Sequence, residues 1–273
     1  MNWRNFMNYA DFQHLLFEHK ENGVLLITIN RPEVMNATNA RLHWELTKIW
    51  AVVDGDEKTK VVVITGAGDR AFSAGGDLDW VSEIAGNPES IESVQKEASD
   101  LVYNILNCDK PIISAINGVA VGAGLVVAML ADISIISAEK GRFTDGHVKL
   151  GVSAGDPAAI IWPLLCGMAK AKYYLMTAEF INAEEAERMG MVSLCVPHDE
   201  LMTKAFAVAD KLAKGSQIAI KGTKKTLNGW MQMASPIFES SLEEEMRNFL
   251  GDDAKEGIAA IREKREANFP SAK

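Results

Sequence analysis

The segment RFTDGHVKLGVSAGD, Arg142 to Asp156, sets one histidine among aspartates: Asp145 two residues before His147, and Asp156 nine after it. Imidazole titrates near neutral pH and can give or take a proton, above all when a carboxylate fixes its tautomer. The set is a candidate proton-transfer site in which His147 moves the proton. Asp156, with Asp145, orients it or takes the second proton role. Taken locally, a solvent-exposed loop histidine explains the same residues. The main chain offers a second kind of chemistry. Gly75-Gly76 in SAGGDLDW and Gly122-Ala123-Gly124 in GVAVGAGLVV each follow a strand-like run and precede a helix-like one. Small residues let a ligand approach the backbone closely, and a helix start adds free N–H groups and a dipole that favours negative charge. Where two such bends meet, one N–H from each can hold a single carbonyl oxygen. Such an oxyanion hole is worth about 3 kcal/mol per donor as charge develops. Taken singly, each glycine cluster reads equally well as a tight turn.

Positioning these groups requires a particular order of elements. Leu15–Lys20 and Val24–Asn30 are β-rich runs around Glu21-Asn22-Gly23, a hairpin signal. Leu42, Leu46, Ile49, Trp50 and Val53 recur at helical spacing, predicting an amphipathic helix over Asn39–Asp54. Lys60–Thr65, Pro111–Asn117 and Ile133–Ala138 read as strands, alternating with helices over Ile91–Asn107 and Gly122–Ala131. That alternation predicts the α/β class with a parallel sheet. Beyond residue 157 helices dominate, over 157–167, 169–177, 183–189, 200–214, 217–230, 236–249 and 254–267, with one strand at Met191–Val196. Charge runs such as Glu243-Glu244-Glu245 read as solvated helix surface.

Bulk properties exclude several function classes. A net charge of −9 argues against a nucleic-acid-coating surface, which needs a basic face. The three scattered cysteines predict reduced thiols in a cytoplasmic protein. The opening MNWRNFMNYADFQHLL has no basic stretch followed by an apolar one, so no secretory signal is expected. The apolar stretch Val119–Ala131 is too short to span a bilayer. No His, Cys, Asp and Glu spacing indicates a metal. His43, on the amphipathic helix beside Trp44, is within reach of the site, but packing or exposure is the expected reading.

Taken in order, Asn30-Arg31-Pro32-Glu33 with Asn36-Ala37, Ala71 to Leu78, Lys110-Pro111 through Asn117-Gly118 to the glycine-rich helix start, and Ala183 to Val192 resemble the enoyl-CoA hydratase/isomerase (crotonase) superfamily. The resemblance runs through the C-terminal IREKREANF and covers nearly the whole chain. It implies a repeated ββα core over residues 1–197. A helical region, 198–273, would complete the fold and an interface for homotrimers or homohexamers. It implies an acyl-CoA thioester as substrate, with coenzyme A as part of that substrate and no separate cofactor. Gly76 and Ala123 would be the oxyanion donors, and Ala37, Ala74, Asp77, Leu78 and Val126 substrate-contacting positions.

The sequence departs from the family where the family hydratases carry two glutamates. The first position is Val126, which cannot move a proton; the second is His147. Three readings follow: a hydratase or isomerase with rearranged acid/base groups, a carbon–carbon hydrolase of β-diketones, or a catalytically inactive acyl-CoA binder. The hydrolase reading rests on the similarity of Asp145-Gly146-His147 through Asp156 and Ile161-Trp162-Pro163 to the 6-oxocamphor hydrolase branch. That branch carries a histidine at the second oxyanion position, which is Ala123 here.

Overall fold

A computed structural model describes residues 7–273; the first six residues of the segment read for a secretory signal lie outside it. The chain opens with β1 (Leu15–His19) and β2 (Val24–Ile29), an antiparallel pair turning at Gly23, whose φ of 86° suits glycine. Helix α1 (Ala40–Gly55) begins where the Asn39 side chain accepts from the Leu42 N–H. Then come β3 (Val61–Gly66), β4 (Ala71–Ala74), α2 (Leu78–Ile84) and α3 (Pro88–Asn107). They are followed by β5 (Ile112–Ile116), β6 (Val119–Val121), α4 (Gly122–Leu130), β7 (Ile133–Ser137) and β8 (Arg142–Phe143). The remainder is α5 (Ala158–Cys166), α6 (Met168–Thr177), β9 (Ile181–Asn182), α7 (Ala183–Arg188), β10 (Leu194–Val196), α8 (Leu201–Lys214), α9 (Gln217–Met233), α10 (Ser235–Phe249) and α11 (Asp252–Glu263).

Two sheets result. The larger runs β1-β2-β3-β5-β7-β10 and is parallel apart from its first pair. Its central strands β3 and β5 are buried on both faces, as their continuous apolar runs require. Successive side chains alternate, so Val61 and Val63 face α8 with Ala205 and Ala209. Val62 and Ile64 face the main core with Ile49, Trp50 and Phe72. The smaller sheet, β4-β6-β8-β9, is built from strands of two to four residues. Such strands are too short to show a period, so the runs before the glycine bends read as strand-like while their pairing into a second sheet did not show. Helix α2 is the helix-like run expected after Gly75-Gly76. The last helix stops at Glu263, four residues before the expected end, where Lys264 takes a left-handed conformation. The strand expected over Met191–Val196 is confined to Leu194–Val196.

The small sheet is what places the two glycine bends together. Strand β4 pairs with β6 in parallel, Ala74 beside Val121, so Gly75-Gly76 leaves one strand next to Gly122-Ala123 leaving the other. Buried asparagines pin this corner. Asn36 Nδ2 donates to the Ala67 and Ala71 carbonyls at 2.9 Å, and Asn117 Nδ2 donates to those of Gly66 and Gly68 at 2.9 and 2.8 Å. A Cβ at Gly124 would collide with Ser73, so the helix start can lie on β4 only because residue 124 has no side chain. Among the described residues, no helix is long and apolar enough to cross a membrane.

Candidate active site

Gly76 and Ala123 both line a cavity of about 140 Å³. A Cβ built on Gly122 would lie 3.2 Å from Gly75 Cα and 3.5 Å from the Gly76 nitrogen, so the two bends do meet. Around Gly76, the Thr38 N–H donates to the Gly75 carbonyl at 2.7 Å and the Asp77 N–H to the Thr38 carbonyl at 2.9 Å. That parallel bridge leaves the Gly76 N–H outside the ladder. Ala123 is the second residue of α4, where the helix supplies no acceptor for the N–H. Two unpaired main-chain donors thus border one cavity.

The acid/base cluster joins the same cavity, which His147 and Asp156 line. Asp145 is buried and accepts from the His147 backbone N–H at 3.1 Å; its Oδ1 also lies 2.8 Å from His147 Nδ1. Nε2 of the same ring lies 3.3 Å from Oε1 of Glu245, on α10. Burial alone would discharge His147. The adjoining Asp145 and Glu245 outweigh it and hold the imidazole well above its usual range, as the protonated form. Asp156 accepts from the Ala158 N–H at 2.8 Å at the start of α5. Burial, then the nearby Asp145 charge, push its carboxyl up to about 7, against the opposing pull of His147. Asp145, His147 and Asp156 bring ligand-type atoms within 4.8 Å of one another, a convergence their linear spacing does not show. Both imidazole nitrogens are turned to carboxylates, the arrangement of a proton relay.

Val126 lies three residues beyond Ala123 on α4 and faces the same cavity, as one helical turn dictates. The other substrate positions read from the sequence lie around the bend and outside the cavity wall. Ala74 ends β4, Asp77 caps α2, and Leu78 opens that helix. Ala37 and Asp77 are tied together by Arg31, which donates to the Ala37 carbonyl and lies 3.3 Å from the Asp77 carboxylate.

Glu245 corrects the reading of Glu243-Glu244-Glu245 as solvated surface. Glu243 and Glu244 are exposed and pair with Arg247, but Glu245 is buried, and its Oε2 has no hydrogen-bond partner among the described residues. The signal was present in the spacing. Phe238, Leu242, Met246 and Phe249 form the buried stripe of α10, and Glu245 falls on it. His43 does pack, as expected, but it also lines the cavity, with Nδ1 2.7 Å from Glu97 Oε2 on α3.

Two sheets that bring two glycine bends to one cavity, with a buried acid/base cluster beside them, define an α/β fold of the crotonase class. Residues 19–272 match the family model described as enoyl-CoA hydratase/isomerase. The chain is 33% identical over 265 residues to the crotonyl-CoA hydratase of Syntrophomonas wolfei, covering 95% of this chain and 99% of that one. A solved enoyl-CoA hydratase/isomerase from Mycobacterium paratuberculosis matches with a TM-score of 0.86 at 29% identity, covering 91% of this chain and 99% of the other. A beta-diketone hydrolase from the cyanobacterium Anabaena, bound to (S)-3-oxocyclohexyl acetic acid, matches with a TM-score of 0.82 at 26% identity. That match covers 89% of this chain and 96% of the hydrolase. The chain belongs to the enoyl-CoA hydratase/isomerase family.

Proposed function

We propose that this enzyme adds water to an α,β-unsaturated acyl-CoA thioester. The observation that carries the reading is the meeting of two unpaired main-chain donors with a buried acid/base cluster in one cavity. The Gly76 and Ala123 N–H groups hold the thioester oxygen as it gains enolate charge. Asp156, as carboxylate, takes a proton from the water whose oxygen bonds to the β-carbon. Protonated His147 gives a proton to the α-carbon, the carbon–carbon double bond becomes single, and the proton on Asp156 passes back to His147. One water is consumed and the enzyme is restored. Coenzyme A enters as part of the substrate, and no other cofactor has a role in the scheme.

His147→Ala is expected to lower turnover of an enoyl-CoA roughly 10²- to 10⁴-fold, the usual span for a lost general acid or base. Calorimetric binding of the thioester should be retained. Undiminished turnover would remove His147 from the mechanism.

A second reading, cleavage of a CoA-free β-diketone, is favoured by the likeness to the Anabaena hydrolase and by the His147/Asp156 pair. There, water would add to one carbonyl carbon and the carbon–carbon bond would break toward an enolate that is then protonated. The unpaired Ala123 N–H favours the thioester reading, because it keeps the oxygen site in the main chain.

Self-association into trimers or hexamers belongs to the same proposal. Met176 on α6 and Ile218, Trp230 and Met233 on α9, large apolar side chains that are 63–89% exposed, support it.

A further inference from the structure

We propose that His43, held by Glu97, is a specificity-determining residue that accepts a hydrogen bond from a hydroxyl group on the substrate's acyl chain. The inference rests on the acyl-CoA reading above and deepens it. His43 is 5% exposed, and its ring lies against that of Trp80, with centroids 5.1 Å apart. Both rings line the cavity, and the wall that α2 and α3 build beside them is apolar, through Val81, Ile84, Val94 and Ala98. An aliphatic residue at 43 would close such a wall without the cost of burying a polar ring. Within the described residues the ring has one hydrogen-bond partner, Glu97, which leaves room for a second from the substrate.

Glu97 determines what that partner is. Its carboxylate only accepts, so Nδ1 carries the proton it shares with Glu97 at 2.7 Å. With Nδ1 donating to Glu97, Nε2 is the ring position left for a substrate group, and in the singly protonated ring it accepts. It makes no hydrogen bond within the described residues and is not sealed from solvent. A substrate carboxylate is disfavoured there, because the cavity wall sets Asp156 and Glu245 against a single cation, His147, and Glu97 already sits on the His43 ring. A hydroxyl brings the needed donor without adding negative charge. The proton-transfer cluster is carried by the segment around β8, by the start of α5 and by α10, so His43 lies on elements the reaction scheme does not use.

The test is calorimetric binding of hexanoyl-CoA and of its monohydroxylated derivatives, one for each carbon beyond the β-carbon. Wild-type protein should bind at least one derivative roughly tenfold more tightly than hexanoyl-CoA, the worth of one buried hydrogen bond. His43→Leu should bring that ratio to about one, and His43→Gln, whose amide oxygen also accepts, should restore part of it. Equal affinities in the wild type overturn the inference whether or not any variant folds. So does a preference that survives His43→Leu. If neither class of thioester binds, the acyl-CoA reading itself fails and this inference with it. If all bind equally, only the role of His43 fails.

Discussion

His147 and Asp156 share a small volume but are tuned in different ways. Two carboxylates hold the imidazole protonated, whereas burial and the charge of Asp145 lift the Asp156 carboxyl to about 7. Asp156 is thus the group of the cluster that changes charge near neutral pH, and in the proposed scheme it acts as base only when deprotonated. Turnover should rise with pH through about 7, and Asp156→Asn should lose that limb together with most activity. Stability should move the other way. A carboxyl whose folded-state pKa lies above its unfolded value stabilises the fold at low pH, and that contribution is lost as pH rises through the folded value. Thermal melts should therefore show wild type losing stability relative to Asp156→Asn between about pH 4 and 7. A pH-independent difference would place the ionisation of Asp156 elsewhere. The Asp145, His147 and Asp156 set was legible in the sequence because it lies in one short segment. Glu245 was not, because two exposed glutamates before it hide its place on the buried stripe of α10.

At the scale of elements, the site depends on how α10 lies against the loop that carries Asp156. The Ser241 hydroxyl donates to the Gly155 carbonyl at 3.0 Å, and a Cβ at Gly155 would collide with the Ser241 carbonyl and the Glu245 Cβ. Gly155→Ala must therefore push α10 outward and draw Glu245 away from His147. Such overpacking costs about 1–3 kcal/mol. A lowered melting temperature is expected, with a fall in kcat larger than any change in KM, because the relay and not the oxygen site is disturbed. An unchanged kcat would show that the Glu245 contact is dispensable. The larger sheet could be read in advance because strands such as Val61–Gly66 are long, apolar and bounded by glycine or charge. The smaller sheet could not, since two to four residues carry no period, yet its β4–β6 register is what makes the glycine bends adjacent. The sequence supported the two bends as similar devices; only tertiary pairing shows that they border one cavity.

For the whole molecule, the C-terminal helices are part of the site as well as its cover. Phe238, Glu245, Met246 and Phe249 of α10 complete a cavity that the N-terminal bends begin, so both ends of the chain must fold for the site to exist. The likeness to relatives extends over nearly the full chain, but it covers both a crotonyl-CoA hydratase and a beta-diketone hydrolase. Fold alone therefore leaves the reaction open, and the chemistry must be argued from the site. In the proposed mechanism, an oxygen held by the Gly76 and Ala123 N–H groups belongs to a thioester, beside groups that add water. Its most direct test is the mass of the product when the purified protein meets an enoyl-CoA thioester and, in parallel, a CoA-free cyclic β-diketone. The thioester should gain the mass of one water while the diketone stays intact. An unreacted thioester beside a hydrated, ring-opened diketone would contradict it.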